Sequence, residues 1–192
     1  MGYDYRKEIN VIAGQKLLIA KQFAEKVHAK QVRRYTNEPY CNHLAEVASL
    51  TREFGGDEAS QAAAWLHDSR EDQGVTKAEI EYLLGREIAD MVEALSDMEE
   101  GNRATRKALS RMRLSKASPE VQTIKIADIV SNTRMIVKHD PKFARVYLRE
   151  KKELLAVLTK ANPTAHKIAS DIVNEGLLTL SRLSREAKHL GL

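Results

Sequence analysis

The chain is poor in the residues that punctuate or cross-link a fold. It holds a single cysteine, Cys41, so no disulfide can form within it, and a reducing cytoplasm is the expected setting. Four prolines and nine glycines in 192 residues leave little for turns, and no low-complexity linker or internal repeat appears. Aromatic residues make up only 5%. No apolar run approaches the roughly 18 residues that span a bilayer, so no membrane partner is expected. The first residues, Met-Gly-Tyr-Asp-Tyr-Arg, lack the pattern of a secretory leader, and Arg6 stands where an N-myristoylation signal needs Ser or Thr. A period-2 alternation of useful length is also missing, which excludes a sheet-built fold.

What remains is helical. Hydrophobic residues at 43% and charged residues at 30% describe an ordinary globular chain, and its length fits one domain with enough core to be stable. Residues 10–29 carry a stripe of Val11, Ile12, Leu17, Leu18, Ala20, Phe23, Ala24 and Val27. Residues 43–54 follow with Leu44, Val47, Ala48 and Leu50, broken by Gly55-Gly56-Asp57. Residues 58–70 have little polar surface and read as a central helix. Thr76-Lys-Ala-Glu79 is a capping-box pattern opening a helix to Leu84, and 87–98 begins another. Ser118-Pro-Glu starts a helix over 119–138, with 142–161 and 164–190 after it. The last has Ile168, Ile172, Leu177, Leu180 and Leu183 as its stripe. Segments 30–42 and 98–117 read as irregular and basic. The expected fold is an all-α bundle in one domain over 1–160. The C-terminal helix in 161–192 would pack on it or extend it, padding the core or mediating homo-oligomer contacts.

Net charge is +4 with a pI near 9.1, enough to favour anionic small molecules but not to imply a nucleic-acid polymer.

One stretch is out of keeping with its surroundings. "WLHDSREDQGVT" (65–76) places His67, Asp68, Glu71 and Asp72 behind an apolar run. On a helix, residues three and four apart share a face, so Asp68 neighbours Glu71 and Asp72, and His67 neighbours Glu71. Clustered carboxylates repel unless a cation relieves them. A second helix offers Lys125, Asp128 and Asn132 on one stripe among isoleucines, and His43 ends the basic loop before its helix. His43, His67, Asp68 and Asp128 together make two imidazoles and two carboxylates. That set suits Mn²⁺, Fe²⁺ or Zn²⁺ better than Mg²⁺ or a thiolate-rich structural zinc site. Each residue also has a plainer reading: a hydrogen-bonded core histidine, or Asp128 paired with a nearby lysine.

The ordered motifs "HAKQVRRYTNEPYCNH" (28–43), "AAWLHDSREDQGVT" (63–76), "VEALSD" (92–97) and "KIADIVSNTR" (125–134) resemble the HD-domain phosphohydrolases. Within them they resemble the small alarmone hydrolases, relatives of the hydrolase half of Rel/SpoT proteins and of the metazoan SpoT homologue. The resemblance covers residues 10–160. It implies that His43, His67, Asp68 and Asp128 bind one metal, usually manganese. It implies that Glu71 and Asp72 position or activate water, that Asn132 contacts the nucleotide, and that Arg33 and Arg34 embrace it. It implies hydrolysis of a 3′-pyrophosphate from a guanosine or adenosine alarmone, in a chain that degrades without synthesising. An HD phosphohydrolase acting on another nucleotide (the 2′-phosphate of NADPH among them) and a non-catalytic nucleotide sensor remain the alternatives. The chain departs from the family in having Leu44 for a proline, Thr36-Asn37 for a glycine, and Ile129 for a basic residue. The stretch 101–116 carries six basic residues and no acid. It is read either as a solvated face or as a wall for polyphosphate, through Arg103, Arg106 and Lys107. Lys125 is a further candidate contact. Tyr147 is read as core packing or as a pocket residue, and Trp65 and Cys41 as packing.

Overall fold

The computed structural model describes residues 15–189. Within them, α1 (Gln15–Val27), α2 (Cys41–Glu53), α3 (Glu58–Leu66), α4 (Ser69–Gln73), α5 (Lys77–Leu84), α6 (Arg86–Leu95), α7 (Arg103–Lys116), α8 (Pro119–His139), α9 (Pro141–Leu155) and α10 (Pro163–His189) follow in order. No strand occurs among the described residues; the nearest thing to one is a bridge between Val32 and Pro39. None of these helices is long and apolar enough to cross a membrane. Val11 and Ile12 lie outside the described residues.

The helix ends follow local chemistry. Thr76 and Glu79 form the reciprocal capping box that their spacing predicts. Ser118 caps α8 through Val121, with Pro119 in the first turn where its missing N–H costs nothing. Asn162 caps the next helix through the Ala165 N–H and also donates to the Phe54 carbonyl, pinning the start of α10 to the end of α2.

Two expectations need correction. Segment 98–117 is not irregular: α7 occupies most of it, capped by Asn102. Its sequence hid this because only Ser110 and Leu114 are buried, too few to draw a stripe. The helix expected over 58–70 ends at Leu66. His67 and Asp68 keep right-handed dihedrals, with φ −57° and −100°, and α4 starts at Ser69.

At the centre, α3 and α8 are buried almost all round. Ala62, Ala63, Ala64 and Leu66 of α3 and Ile124, Ile126, Ala127, Ile129 and Val130 of α8 are 0% exposed. Such helices are packed on several sides, and α8 meets α2, α3, α9 and α10. The alanines let α3 approach its neighbours closely. Trp65 is buried, with the Lys21 ammonium above its ring. In α1, Ala20 and Ala24 face inward while Leu18 is 53% exposed, against its placing in the stripe. The α10 seam is Ala165, Ala169, Val173 and Leu180, with Ile168, Ile172 and Leu177 beside it; Leu183 is exposed. Small residues let α10 lie close on α8 and α9: a Cβ on Gly176 would come within 2.9 Å of Leu148.

The departures from the family motif are absorbed by packing. Leu44 is fully buried, and its N–H bonds the Tyr40 carbonyl, which proline could not do. Asn37 has φ +57°, the left-handed conformation for which glycine is favoured and asparagine is next best. The loop thus keeps its turn, closed by the Arg33 N–H on the Glu38 carbonyl at 2.8 Å. Asn37→Gly should leave stability within about 0.5 kcal/mol, whereas Asn37→Ala should cost about 1 kcal/mol. Urea unfolding of both variants checks this, and an Ala variant as stable as the Gly variant would contradict it.

Candidate metal centre and adjoining cavity

His43 enters from the first turn of α2, His67 and Asp68 from the joint between α3 and α4, and Asp128 from the middle of α8. His43, His67 and Asp128 are buried, and each offers an atom within 4.8 Å of the others. Their nitrogens and oxygens face inward: His43 Nε2 lies 3.5 Å and His67 Nε2 3.8 Å from Asp128 Oδ1. Asp68 Oδ2 adds a fourth corner, 3.0 Å from His67 Nε2 and 3.7 Å from His43 Nε2.

Outer contacts fix how each group is presented. His67 Nδ1 lies 2.8 Å from the Ala64 carbonyl, which can only accept, so the proton sits on Nδ1 and Nε2 is left to the site. His43 Nδ1 meets Ser131 Oγ at 2.9 Å, and that hydroxyl donates to Glu46 at 2.6 Å. Ser131 therefore accepts from His43, and its Nε2 is also turned inward. Asp128 divides its oxygens: Oδ2 pairs with Lys125 at 3.1 Å and Oδ1 accepts from Asn132 at 2.5 Å. Tyr40 donates to Asp68 Oδ2 at 2.5 Å. Every inward-facing group thus has an outer partner, the arrangement by which proteins orient metal ligands.

Both inward Nε2 atoms, by contrast, are buried without a hydrogen bond. The 3.0 Å approach of His67 to Asp68 is attractive but not aligned for one. Unsatisfied buried nitrogens are costly, and two aimed at the same carboxylate oxygen fit a divalent cation. The plainer reading of Asp128, an ion pair with Lys125, is also present, on the oxygen facing away from the imidazoles.

Electrostatics agree. Burial opposes charge on Asp68, but His67 outweighs it, and burial opposes charge on Asp128, but Lys125 and His67 outweigh it; both carboxyls stay well below the usual range. His43 is lowered to about 4 by burial and by His67. His67 is lowered by burial, yet Asp68 and Asp128 prevail and raise it to about 9. Without metal, one imidazole carries the charge that a cation would supply.

Glu71 and Asp72 stand at the rim and fan apart. Asp72 accepts from Gln31 at 2.7 Å, and Glu71 accepts from the Asp97 N–H at 3.2 Å. Partial burial raises both carboxyls, with Asp97 adding to the effect on Glu71. Asp97 is itself held ionised, against burial, by Lys125 and Lys107.

Beside the centre opens a cavity of about 330 Å³, lined by Arg33, Arg34 and Tyr35 of the loop, Asn132, Met135 and Ile136 of α8, Arg103 and Lys107 of α7, and Phe143, Tyr147 and Lys151 of α9. Six of the expected contact residues meet here: Arg33, Arg34, Arg103, Lys107, Asn132 and Tyr147. Tyr147 also packs on Phe143, so its two readings are not exclusive. Lys125 lies behind, in a small adjoining cavity with Lys107, Lys151 and Asp97. Arg106 lines neither; its guanidinium reaches back to the Gly101 carbonyl.

An HD-domain family model matches residues 20–165. The chain belongs to the HD-domain family. A probable guanosine-3′,5′-bis(diphosphate) 3′-pyrophosphohydrolase of Synechocystis is 37% identical over 142 residues, 71% of this chain; the chain spans only 19% of that protein's length. The guanosine-3′,5′-bis(diphosphate) 3′-pyrophosphohydrolase MESH1 of Xenopus tropicalis is 33% identical over 128 residues, 65% of this chain and 72% of that one. A solved structure, described as a metazoan ortholog of SpoT that hydrolyzes ppGpp and plays a role in starvation responses, superposes with a TM-score of 0.79 at 25% identity. It covers 86% of this chain and 98% of its own.

The sequence singles out the HD pair and, from its surroundings, Lys125 and Asn132; the structure adds Tyr40, Gln31, Asp97, Glu46, Ser131 and Lys151. Tyr40 and Gln31 sit in the motif that holds His43, and Asp97 ends "VEALSD", so motif position could have flagged them. Ser131 lies in "KIADIVSNTR" and carries the same signal, whereas Glu46 and Lys151 fall outside the motifs and join the site only through packing.

The raised His67 has a consequence for metal-free stability. Its folded value of about 9 exceeds the ordinary 6.5. The charge therefore contributes fully below pH 6.5, and that contribution is lost as pH rises through about 9. In metal-free protein, the stability gap between wild type and His67→Gln should shrink from pH 6.5 to pH 9 in denaturant unfolding. A constant gap would contradict the assignment.

Proposed function

We propose that this chain is a metal-dependent phosphohydrolase that removes the 3′-pyrophosphate of a guanosine or adenosine 3′,5′-bis-phosphorylated nucleotide. The observation that carries the reading is the pair of unpartnered imidazole nitrogens facing two ionised carboxylates, beside a cavity lined by cations and aromatic rings. Kinship with proteins named for that activity supports the substrate class.

His43, His67, Asp68 and Asp128 would hold one divalent cation, with Mn²⁺ the first choice and Fe²⁺ or Zn²⁺ compatible with the same donors. Such an ion supplies Lewis acidity, offsetting phosphoryl charge and making nearby water more acidic. Asn132 and Lys125 keep Asp128 in place; Tyr40 does the same for Asp68. Glu71 and Asp72, raised at the rim, take the proton of the attacking water. The water oxygen bonds to the 3′-linked phosphorus, the bond from that phosphorus to the ribose oxygen breaks, and that oxygen takes up a proton. Pyrophosphate leaves with the water oxygen. Arg34, stacked at 5.5 Å on Tyr35, offers a flat cationic face for a base or phosphate at the loop end. Arg33, Arg103 and Lys107 offset phosphate charge. We assign α10 a structural role on α8 and α9, as a brace for the helix that carries Asp128.

Asp128→Ala should abolish Mn²⁺ binding by calorimetry and release of pyrophosphate from ppGpp or its adenosine analogue, with helix content by circular dichroism kept. Glu71→Gln should retain Mn²⁺ but lose about a hundredfold or more in kcat. Wild-type turnover by Asp128→Ala would overturn the site. In a nucleotide panel, release of orthophosphate alone would overturn the substrate class, and binding without turnover would overturn the enzyme reading.

A further inference from the structure

Three of the five cations lining the cavity are neutralised from within. Arg33 faces Glu46 at 3.5 Å, Arg103 grips Glu150 through two bonds at 2.7 and 2.8 Å, and Lys107 meets Asp97 at 3.0 Å. Lys125 is spoken for by Asp128. Lys151 is different. Among the described residues it forms no ion pair and no hydrogen bond, although it is half-buried and lines the cavity. Its ammonium rests 4.9 Å from the centre of the Tyr147 ring, one helical turn earlier on α9, which orients the charge without cancelling it. Its neighbour Glu150 turns to Arg103 instead.

Lys151 also lines the small adjoining cavity, together with Lys107 and Lys125. Three ammonium groups therefore share one lining; Lys107 pairs with Asp97, Lys125 with Asp128, and Glu150, in the same lining, with Arg103, which leaves none for Lys151. Burial and repulsion from Lys125 lower Lys151 to about 8, while Asp128 partly offsets them. A partly buried, unpaired cation in a crowd of like charge is unfavourable in the empty protein. An anion would relieve it. The position narrows which anion: Lys151 lines the small cavity with Lys125 and Lys107 and lies within electrostatic reach of Asp128, whereas Arg34 lines only the larger cavity.

We propose that Lys151 is a ligand-contacting residue that receives the outer phosphate of the departing pyrophosphate group. This rests on the phosphohydrolase reading given above and adds to it a specific cation at the pyrophosphate end, opposite the ribose oxygen that leaves. Lys107 lines the same small cavity but is paired with Asp97, so Lys151 is the donor of the two that no ion pair or hydrogen bond holds.

Inorganic pyrophosphate is the probe. It is titrated calorimetrically into metal-free wild type, Lys151→Met, which keeps the length of the stem, and Lys151→Arg, which keeps the charge; thermal melts check that all three fold alike. Lys151→Met should weaken pyrophosphate binding by about tenfold to a hundredfold, and Lys151→Arg by no more than about threefold. Equal affinity in wild type and Lys151→Met, or no pyrophosphate binding to wild type, would overturn the proposal. Wild-type turnover of 3′-pyrophosphorylated nucleotides is measured alongside. Turnover with an unaffected Lys151→Met affinity removes the role of Lys151 and leaves the reaction standing. Lys151-dependent pyrophosphate binding without turnover of any such nucleotide removes the reaction and leaves the anion subsite.

Discussion

Two imidazole nitrogens, each stripped of a hydrogen-bond partner by burial, point at carboxylates that cannot shed their charge. The rest of the molecule serves this arrangement. The α3 helix is so rich in alanine that it can lie deep in the bundle and still deliver His67 and Asp68 at its end. The buried α8 brings Asp128 to meet them, with isoleucines on its other faces. Ser131, one turn beyond Asp128 on the same helix, orients His43 from α2 and so ties ligand presentation to the packing of α2 on α8. Burying ionised groups in this way is unfavourable without a cation, and the ring of outer contacts holds them in place nonetheless.

The basic surface gains meaning from the same accounting of charge. Counted along the sequence, 101–116 is a bare run of cations. In the fold, Arg103, Lys107, Arg111 and Arg113 each find a carboxylate, so most of that run braces α7 against α9 and the segment that follows α6. Arg106 and Lys116 are exposed, as a solvated face would have them, while Arg103 and Lys107 line the cavity. Which cations remain for a ligand is decided by where the acids fall. That left Arg34 at the loop end and Lys151 on α9.

The centre was legible because its chemistry is written in short segments. A histidine-aspartate pair after an apolar helix, an aspartate on an isoleucine-rich helix and a histidine at a loop exit converge as expected. The all-α class followed from periodicity and from the want of alternation. Less visible was what depends on tertiary proximity. Glu46 and Ser131 are 85 residues apart and look like ordinary polar helix positions. Lys151 belongs to a helix whose charge pattern suggests a solvated face. Nor could periodicity find the break after Leu66, because the backbone keeps helical dihedrals while the hydrogen-bond ladder lapses. The α7 helix was missed for the opposite reason, being a real helix with hardly any buried stripe. Asn37 shows a departure from a family motif resolved by backbone chemistry, since its side chain tolerates the turn that glycine would make.

Anomalous scattering from a crystal grown with Mn²⁺ tests the central claim most directly. The account predicts one strong peak enclosed by His43 Nε2, His67 Nε2, Asp68 and Asp128, with Lys125 still on the far oxygen of Asp128. A manganese peak coordinated elsewhere, with the two imidazole nitrogens still facing each other across an empty gap, would contradict it.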